Sequence, residues 1–149
     1  MKICLIASAG GHLTQLLQLE DLWRNYEYFI VTEKKDITKG LGKGRKVYFV
    51  EEPNRRSIGF LKNLYQSSKI FKKEDPDIIV STGAGTAFAM LLIAKLHGKK
   101  VVFIESLSRV ENPSITGRFV YFISDLFLVQ WRGLLKKYGD KARYGGRVI

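Results

Sequence analysis

Met1-Lys-Ile-Cys-Leu-Ile-Ala-Ser-Ala-Gly-Gly-His12 is the stretch that decides the fold. Ile3 to Ala7 is a short apolar run, the pattern of a strand covered on both faces of a parallel sheet. Beyond the Ser8–His12 turn, Leu13, Leu16, Leu17, Leu19, Leu22 and Trp23 recur as one face of a helix. The unit is strand, glycine turn, helix. Gly10 and Gly11 lack a Cβ, so the backbone can turn sharply and an anion can approach the helix N-terminal amides. His12 stands at the carboxyl end of the first strand, where open α/β sheets place their ligands. The bland alternative is a tight strand–helix connection and nothing more. The glycines do not spell G-x-G-x-x-G, and Glu33 is the nearest acid that could end a second strand as a ribose ligand. A nicotinamide dinucleotide fold is disfavoured, and no Lys-Ser/Thr follows to make a Walker loop.

Outward from this unit the alternation continues. Tyr28–Thr32 and Lys46–Val50 read as strands, separated by Glu33–Arg45, whose lysines and glycines predict a solvated, mobile loop. Ile58, Leu61, Leu64, Tyr65, Ser68 and Phe71 predict a helix from about Ser57 to Lys73, with part of that apolar face covering the sheet. Ile78–Val80 is a fourth strand, ending in Ser81-Thr-Gly-Ala-Gly-Thr86, and Ala87–Leu96 an apolar helix closed by Gly98. Val101–Ile104 is a fifth strand, Pro113–Ser124 a helix, and Leu126–Val129 a sixth strand. Trp131–Tyr138 is a last turn or two of helix before a basic tail. The expected architecture is a doubly wound, Rossmann-like parallel sheet of order 3-2-1-4-5-6. Three polar clusters, Ser8–His12, Ser81–Thr86 and Glu105–Arg109, then open on one edge of that sheet.

Composition narrows the partners. The 149 residues suit one domain with a proper core and fall short of a two-domain enzyme. Lysine and arginine number 25 against 14 acids, a net charge of +11, which calls for a polyanionic partner. Cys4 sits inside the first strand as a small apolar residue, and two separated histidines make no zinc site, so neither metal nor cofactor is expected. No leader precedes the first strand and no apolar run is long enough to span a bilayer, so the expectation is a cytoplasmic protein. A nucleic-acid-binding domain is one rival, but the charges are scattered and no RNA or DNA motif is present. A stand-alone flavodoxin-like nucleotide binder is another, to be recognised by tight binding of UDP or flavin.

Gly10-Gly-His12, Ser81-Thr-Gly-Ala-Gly85, Glu105-Ser-Leu-Ser-Arg109 and Thr116-Gly-Arg118, in this order, resemble the acceptor-side half of GT-B glycosyltransferases. The pattern is similar to the membrane-anchoring subunit of the two-part UDP-GlcNAc transferase of asparagine-linked glycosylation. It resembles also that subunit's bacterial PssD-like relatives in polysaccharide biosynthesis, and the N-terminal domain of MurG. The similarity covers essentially the whole chain, including Val129-Gln-Trp131. The resemblance implies half an enzyme, a heterodimer whose other polypeptide holds the UDP-sugar, acting on a polyprenyl-diphosphate-linked acceptor. By the same resemblance Gly10, Gly11, Thr82, Gly83, Gly85, Ser106, Arg109 and Arg118 meet the acceptor diphosphate. His12 is the candidate base, since an imidazole titrates near neutrality, with an orienting or capping role as its alternative. Glu105 is the rival base, or a residue that holds Arg109 or a backbone amide. His97, just before Gly98, is expected to cap a helix. The eukaryotic relatives carry a membrane segment that this chain lacks, so membrane contact is expected to be peripheral, on the inner face of the cell membrane. Arg55, Arg56, Phe60, Leu61 and Lys62 offer a basic and apolar patch for an anionic surface, although burial in the core accounts for the aromatic and aliphatic members equally simply.

Overall fold

The computed structural model describes residues 1–53 and 57–148. Along the chain run β1 (Lys2–Ala7), α1 (Gly11–Gln18), β2 (Glu27–Glu33), β3 (Val47–Val50), α2 (Ser57–Glu74) and β4 (Ile78–Gly83). They are followed by α3 (Gly85–Leu96), β5 (Lys100–Ile104), α4 (Ile115–Ile123), β6 (Leu126–Val129), α5 (Leu135–Tyr138) and β7 (Ala142–Tyr144). The seven strands among the described residues form one parallel sheet in the order β3-β2-β1-β4-β5-β6-β7. The doubly wound order expected from the sequence holds. β7 extends it at one edge, within the stretch expected to be a basic tail.

The period of two along β1 divides the core. Ile3, Leu5 and Ala7 face α1, where Leu13, Leu16 and Trp23 cover them. Cys4 and Ile6 face the opposite layer, built from α2 to α5 around Phe71, Met90, Val120 and Leu134. Burial pushes the Cys4 thiol up, so it stays protonated and inert.

Three elements differ from their sequence readings. α1 stops at Gln18, and a separate 3-10 turn at Glu20–Leu22 leaves Leu22 exposed while turning Trp23 inward. The Glu33–Arg45 connection carries a folded 3-10 turn at Asp36–Thr38. There the buried Thr38 hydroxyl donates to the carbonyls of Lys35 and Glu33. α2 buries only part of the expected apolar stripe, with Phe71 in the core and Leu64 packed against it. Ile58, Leu61 and Tyr65 are each more than 60 % exposed, while Asn63 and Ser67 are fully buried. The Asn63 amide donates to the carbonyls of Glu51 and Thr86, so hydrogen bonding at the helix start turns inward a polar residue that apolar spacing leaves off that face.

At the last turn of α2 the carboxylate of Glu74 is buried and joins three elements. Lys2 lies at 3.3 Å and Lys46 at 2.7 Å, and the Tyr48 hydroxyl also donates to it. Burial alone would raise this carboxyl; the hydrogen bonds from Lys46, Tyr48 and Lys2 outweigh it and hold it down to about 2. A carboxyl lowered on folding stabilises fully above its ordinary 4.5, and that contribution is lost as pH falls through about 2. Urea unfolding should therefore find Glu74→Gln less stable than the natural protein at pH 6, with the difference shrinking by pH 3. Parallel stability curves across that range would remove Glu74 as an acid-sensitive anchor.

Candidate functional site

The sheet reverses its winding between β1 and β4, and the crevice at a strand-order reversal is where such sheets bind ligands. A bulge sits there: Ile6 pairs with Ser81, but Ala7 pairs with Gly83, leaving Thr82 outside the ladder. The freed groups of Thr82 turn to His12. The imidazole Nδ1 lies 2.8 Å from the Thr82 carbonyl, and the Thr82 hydroxyl donates to the His12 carbonyl at 2.6 Å. A carbonyl can only accept, so Nδ1 carries the proton, and in the neutral ring Nε2 keeps its lone pair. The ring lies over Gly83, where an added Cβ would be 3.6 Å from its Cε1 and Nδ1. Gly83 itself has φ +110°, which a side chain would strain. The next residue, Ala84, has φ 72° and ψ 166° at the N-cap of α3. That region is nearly reserved for glycine and costs roughly 1–3 kcal/mol.

Both helix N-termini point at the crevice. Gly10 caps α1 and Ala84 caps α3, neither through a side-chain hydrogen bond, so their first amides have no intrahelical acceptor. Glu33 ties the two turns together. It is buried, accepting the Ala9 amide and the Thr86 hydroxyl, while Ser8 donates to Thr86 at 3.0 Å. The nearest candidate for a ribose ligand is thus spent inside the protein.

The third cluster is joined to the first through glutamines that sequence reasoning passed over. Gln15 of α1 accepts the Leu107 amide at 3.0 Å and the Gln130 side-chain amide at 2.9 Å. Gln130, buried, also donates to the Glu105 carbonyl and accepts the Val148 amide. Glu105 is 1 % exposed, with every bond pointing inward. Oε1 accepts the Ser106 amide at 2.9 Å; Oε2 accepts the Ser114 amide and hydroxyl, each at 3.0 Å, and the Tyr138 hydroxyl. Burial first, then the bond to Glu105, pushes the Tyr138 phenol up. This geometry fits an anchor that joins β5, the cap of α4 and α5.

The crevice brings together His12, Thr82, Gly83, Gly10 and Gly11, with Gly85 at its rim. Thr82 offers its hydroxyl to His12 and Gly83 its amide to the Ser81 hydroxyl, so both serve the geometry of the turn. The Ser106 hydroxyl meets that of Ser108 at 3.0 Å. Arg109 is exposed, and Glu105 holds the Ser106 amide rather than this guanidinium. Arg118 stands apart in a separate depression of about 430 Å³ with Tyr121, Phe122 and Lys137. The His97 imidazole bonds the Ile93 carbonyl at 2.8 Å at the C-cap of α3. Arg55 and Arg56 lie outside the described residues; Phe60 is half-buried, and Leu61 and Lys62 are exposed. Among the described residues no helix is long and apolar enough to cross a membrane.

Solved structures share this fold. MurG of Acinetobacter baumannii superposes with a TM-score of 0.73 at 15% identity, over 89% of this chain and 42% of that one. The UDP-GlcNAc 2-epimerase of Methanocaldococcus jannaschii superposes at 0.77 with 17% identity, over 97% of this chain and 46% of its own. The chain therefore spans less than half the length of either. In sequence it is 26% identical to the human UDP-N-acetylglucosamine transferase subunit ALG14 and 36% identical to the rat protein, in each case over the whole chain and 83% of the relative. The family model described as oligosaccharide biosynthesis protein Alg14 like matches residues 33–148, and the chain belongs to that family.

Proposed function

We propose that this chain is the acceptor-binding subunit of a two-component glycosyltransferase. Its reaction moves a sugar from a UDP-sugar to a polyprenyl-diphosphate-linked glycan in the making of a capsule or exopolysaccharide. The observation that carries the reading is the placement of His12: a ring fixed through Nδ1, its Nε2 unbonded among the described residues, between two glycine turns at the β1/β4 crevice. Family membership supports it, since the relatives are named as transferase subunits.

In the proposed step the acceptor hydroxyl oxygen attacks C1 of the sugar and the C1–O bond to UDP breaks. The hydroxyl proton passes to Nε2 of His12, and UDP leaves with the bonding pair. The amides at Gly10–Gly11 and around Gly85, with Ser106 and Arg109 nearby, favour the acceptor diphosphate through the positive ends of α1 and α3. Arg118 is placed to meet charge at the outer edge of α4. Thr82 keeps the imidazole oriented, and Glu105 keeps the third loop in place. A separate donor-binding chain supplies the UDP-sugar site. The net charge of +11 suits an anionic bilayer on the cytoplasmic side, with Phe60, Leu61 and Lys62 as contacts and Arg55 and Arg56 beside them in sequence.

Reconstitution tests this. The purified chain alone should transfer little or nothing, and the donor-binding chain should restore transfer to a polyprenyl-diphosphate-linked acceptor in vesicles, faster in anionic than in neutral lipid. Robust turnover by the chain alone sinks the half-enzyme reading. Equal rates in the two lipids remove the anionic surface from it.

A further inference from the structure

α4 carries its apolar residues on the outside. Its buried members are Gly117 and Val120, whereas Ile115 is 78 % exposed, Phe119 61 % and Phe122 79 %. A nine-residue amphipathic helix normally turns such a stripe inward. Beside the stripe, between the starts of α2, α3 and α4, runs a trench of about 400 Å³. Pro53, Phe60, Gly85, Phe88, Ile115 and Phe119 line it, and Thr116 supplies its one hydroxyl. The three rings form a row, Phe60 to Phe88 at 6.5 Å and Phe88 to Phe119 at 6.2 Å between centroids. Among the described residues no charged side chain lines it.

The inner end of the trench identifies its occupant. It begins at Gly85, the first residue of α3, in the same turn as Gly83 and the strained Ala84. A Cβ at Gly85 would stand 3.3 Å from Pro53 Cγ, so the chain is already close-packed at that end. The glycine turn at the start of α3 thus borders a depression whose described lining is apolar and largely aromatic. The seven described residues that line it are few beside the roughly 20–30 on each side of a stable protein interface. A volume of about 400 Å³ with this lining, beside the glycine turn, suits a single hydrocarbon chain joined to an anionic head.

Resting on the proposed diphosphate site, we propose that this trench seats the isoprene units nearest the acceptor diphosphate. The subunit then recognises the lipid by chain as well as by head. Burying each further unit in an apolar groove strengthens binding until the groove is full. Arg118, three residues beyond Ile115 and so its neighbour on the helix surface, borders the stripe with a positive charge.

Calorimetry on the full chain with inorganic pyrophosphate and with isopentenyl, geranyl and farnesyl diphosphate tests this. Each added isoprene unit should tighten binding by about tenfold. Ile115→Asp/Phe119→Asp should flatten the series while leaving pyrophosphate binding unchanged, and the milder Phe119→Ala should reduce the slope in a chain of unaltered thermal midpoint. A flat series in the natural protein, or a slope that survives both variants, overturns the proposal. So does a dimer that the double variant dissociates, because a second copy then covers the trench. Loss of anionic-vesicle binding in the variants, with no chain-length slope in the natural protein, also overturns it and assigns the face to the bilayer. Pyrophosphate binding with a flat series sinks the trench alone. A chain-length slope without pyrophosphate binding sinks the diphosphate reading and leaves the trench standing.

Discussion

His12→Ala should lower turnover of the reconstituted pair by about 10²–10⁴-fold, the usual scale for the loss of a general base. The protein should still fold. The ring is half-buried at a turn, and its removal costs one hydrogen bond to the Thr82 carbonyl, about 1 kcal/mol. Glu105→Gln is the contrasting variant. It replaces one acceptor oxygen with an NH₂ group in a buried shell of donors from Ser106, Ser114 and Tyr138. Its main effect should be on folding, a loss of about 1–3 kcal/mol, with turnover of the folded fraction preserved. Steady-state kinetics and urea unfolding of both variants decide the matter. A mild His12→Ala beside a catalytically dead but stable Glu105→Gln would transfer the role of base to Glu105.

Gly117→Ala should be strongly destabilising for so small a change. A Cβ there would come within 2.2 Å of the Tyr138 hydroxyl, 2.4 Å of Glu105 Oε2 and 2.8 Å of Ser114 Oγ. All three atoms belong to one buried hydrogen-bonded knot, so none can move without uncoupling the others. Alanine gains about 1 kcal/mol in helix propensity over glycine. Breaking a buried network around an unpaired carboxylate costs about 3–5 kcal/mol, so the loss dominates. The net loss of about 2–4 kcal/mol should lower the thermal midpoint by roughly 4–16 °C for a chain of this length. A Gly117→Ala protein as stable as its parent would show that the Glu105 knot has room to spare.

What the sequence disclosed follows from how local each signal is. Central strands buried on both faces, such as Ile3–Ala7 and Val101–Ile104, are continuous apolar runs, so the doubly wound order followed directly. β7 is three residues, Ala142 to Tyr144, at an edge, with Ala142 alone buried, and such a strand leaves no apolar run to find. The inward face of α2 was hidden in part because polar Asn63 and Ser67 occupy inward positions that a hydrophobic pattern reserves for aliphatics. At the candidate site, the glycine turns and His12 stand out because they are adjacent in sequence. The anchoring of Glu105 by Tyr138, 33 residues on, and the link from Gln15 to Gln130, 115 residues apart, exist only in the folded chain. The ring orientation of His12 likewise depends on a bulge at Thr82 that no local pattern announces.

The central place of β1 has a consequence for synthesis. Ile3 pairs with Ile78 on one side and with Tyr28 on the other, so β1 is completed by a strand translated 75 residues later. At about 5–20 residues per second, this deeply buried strand waits roughly 4–15 s for its second neighbour. During that interval Cys4, Leu5 and Ile6, each 0 % exposed in the finished sheet, have no partner along one edge. The same strand that fixes the crevice is therefore the segment on which a nascent-chain holdase has most reason to act.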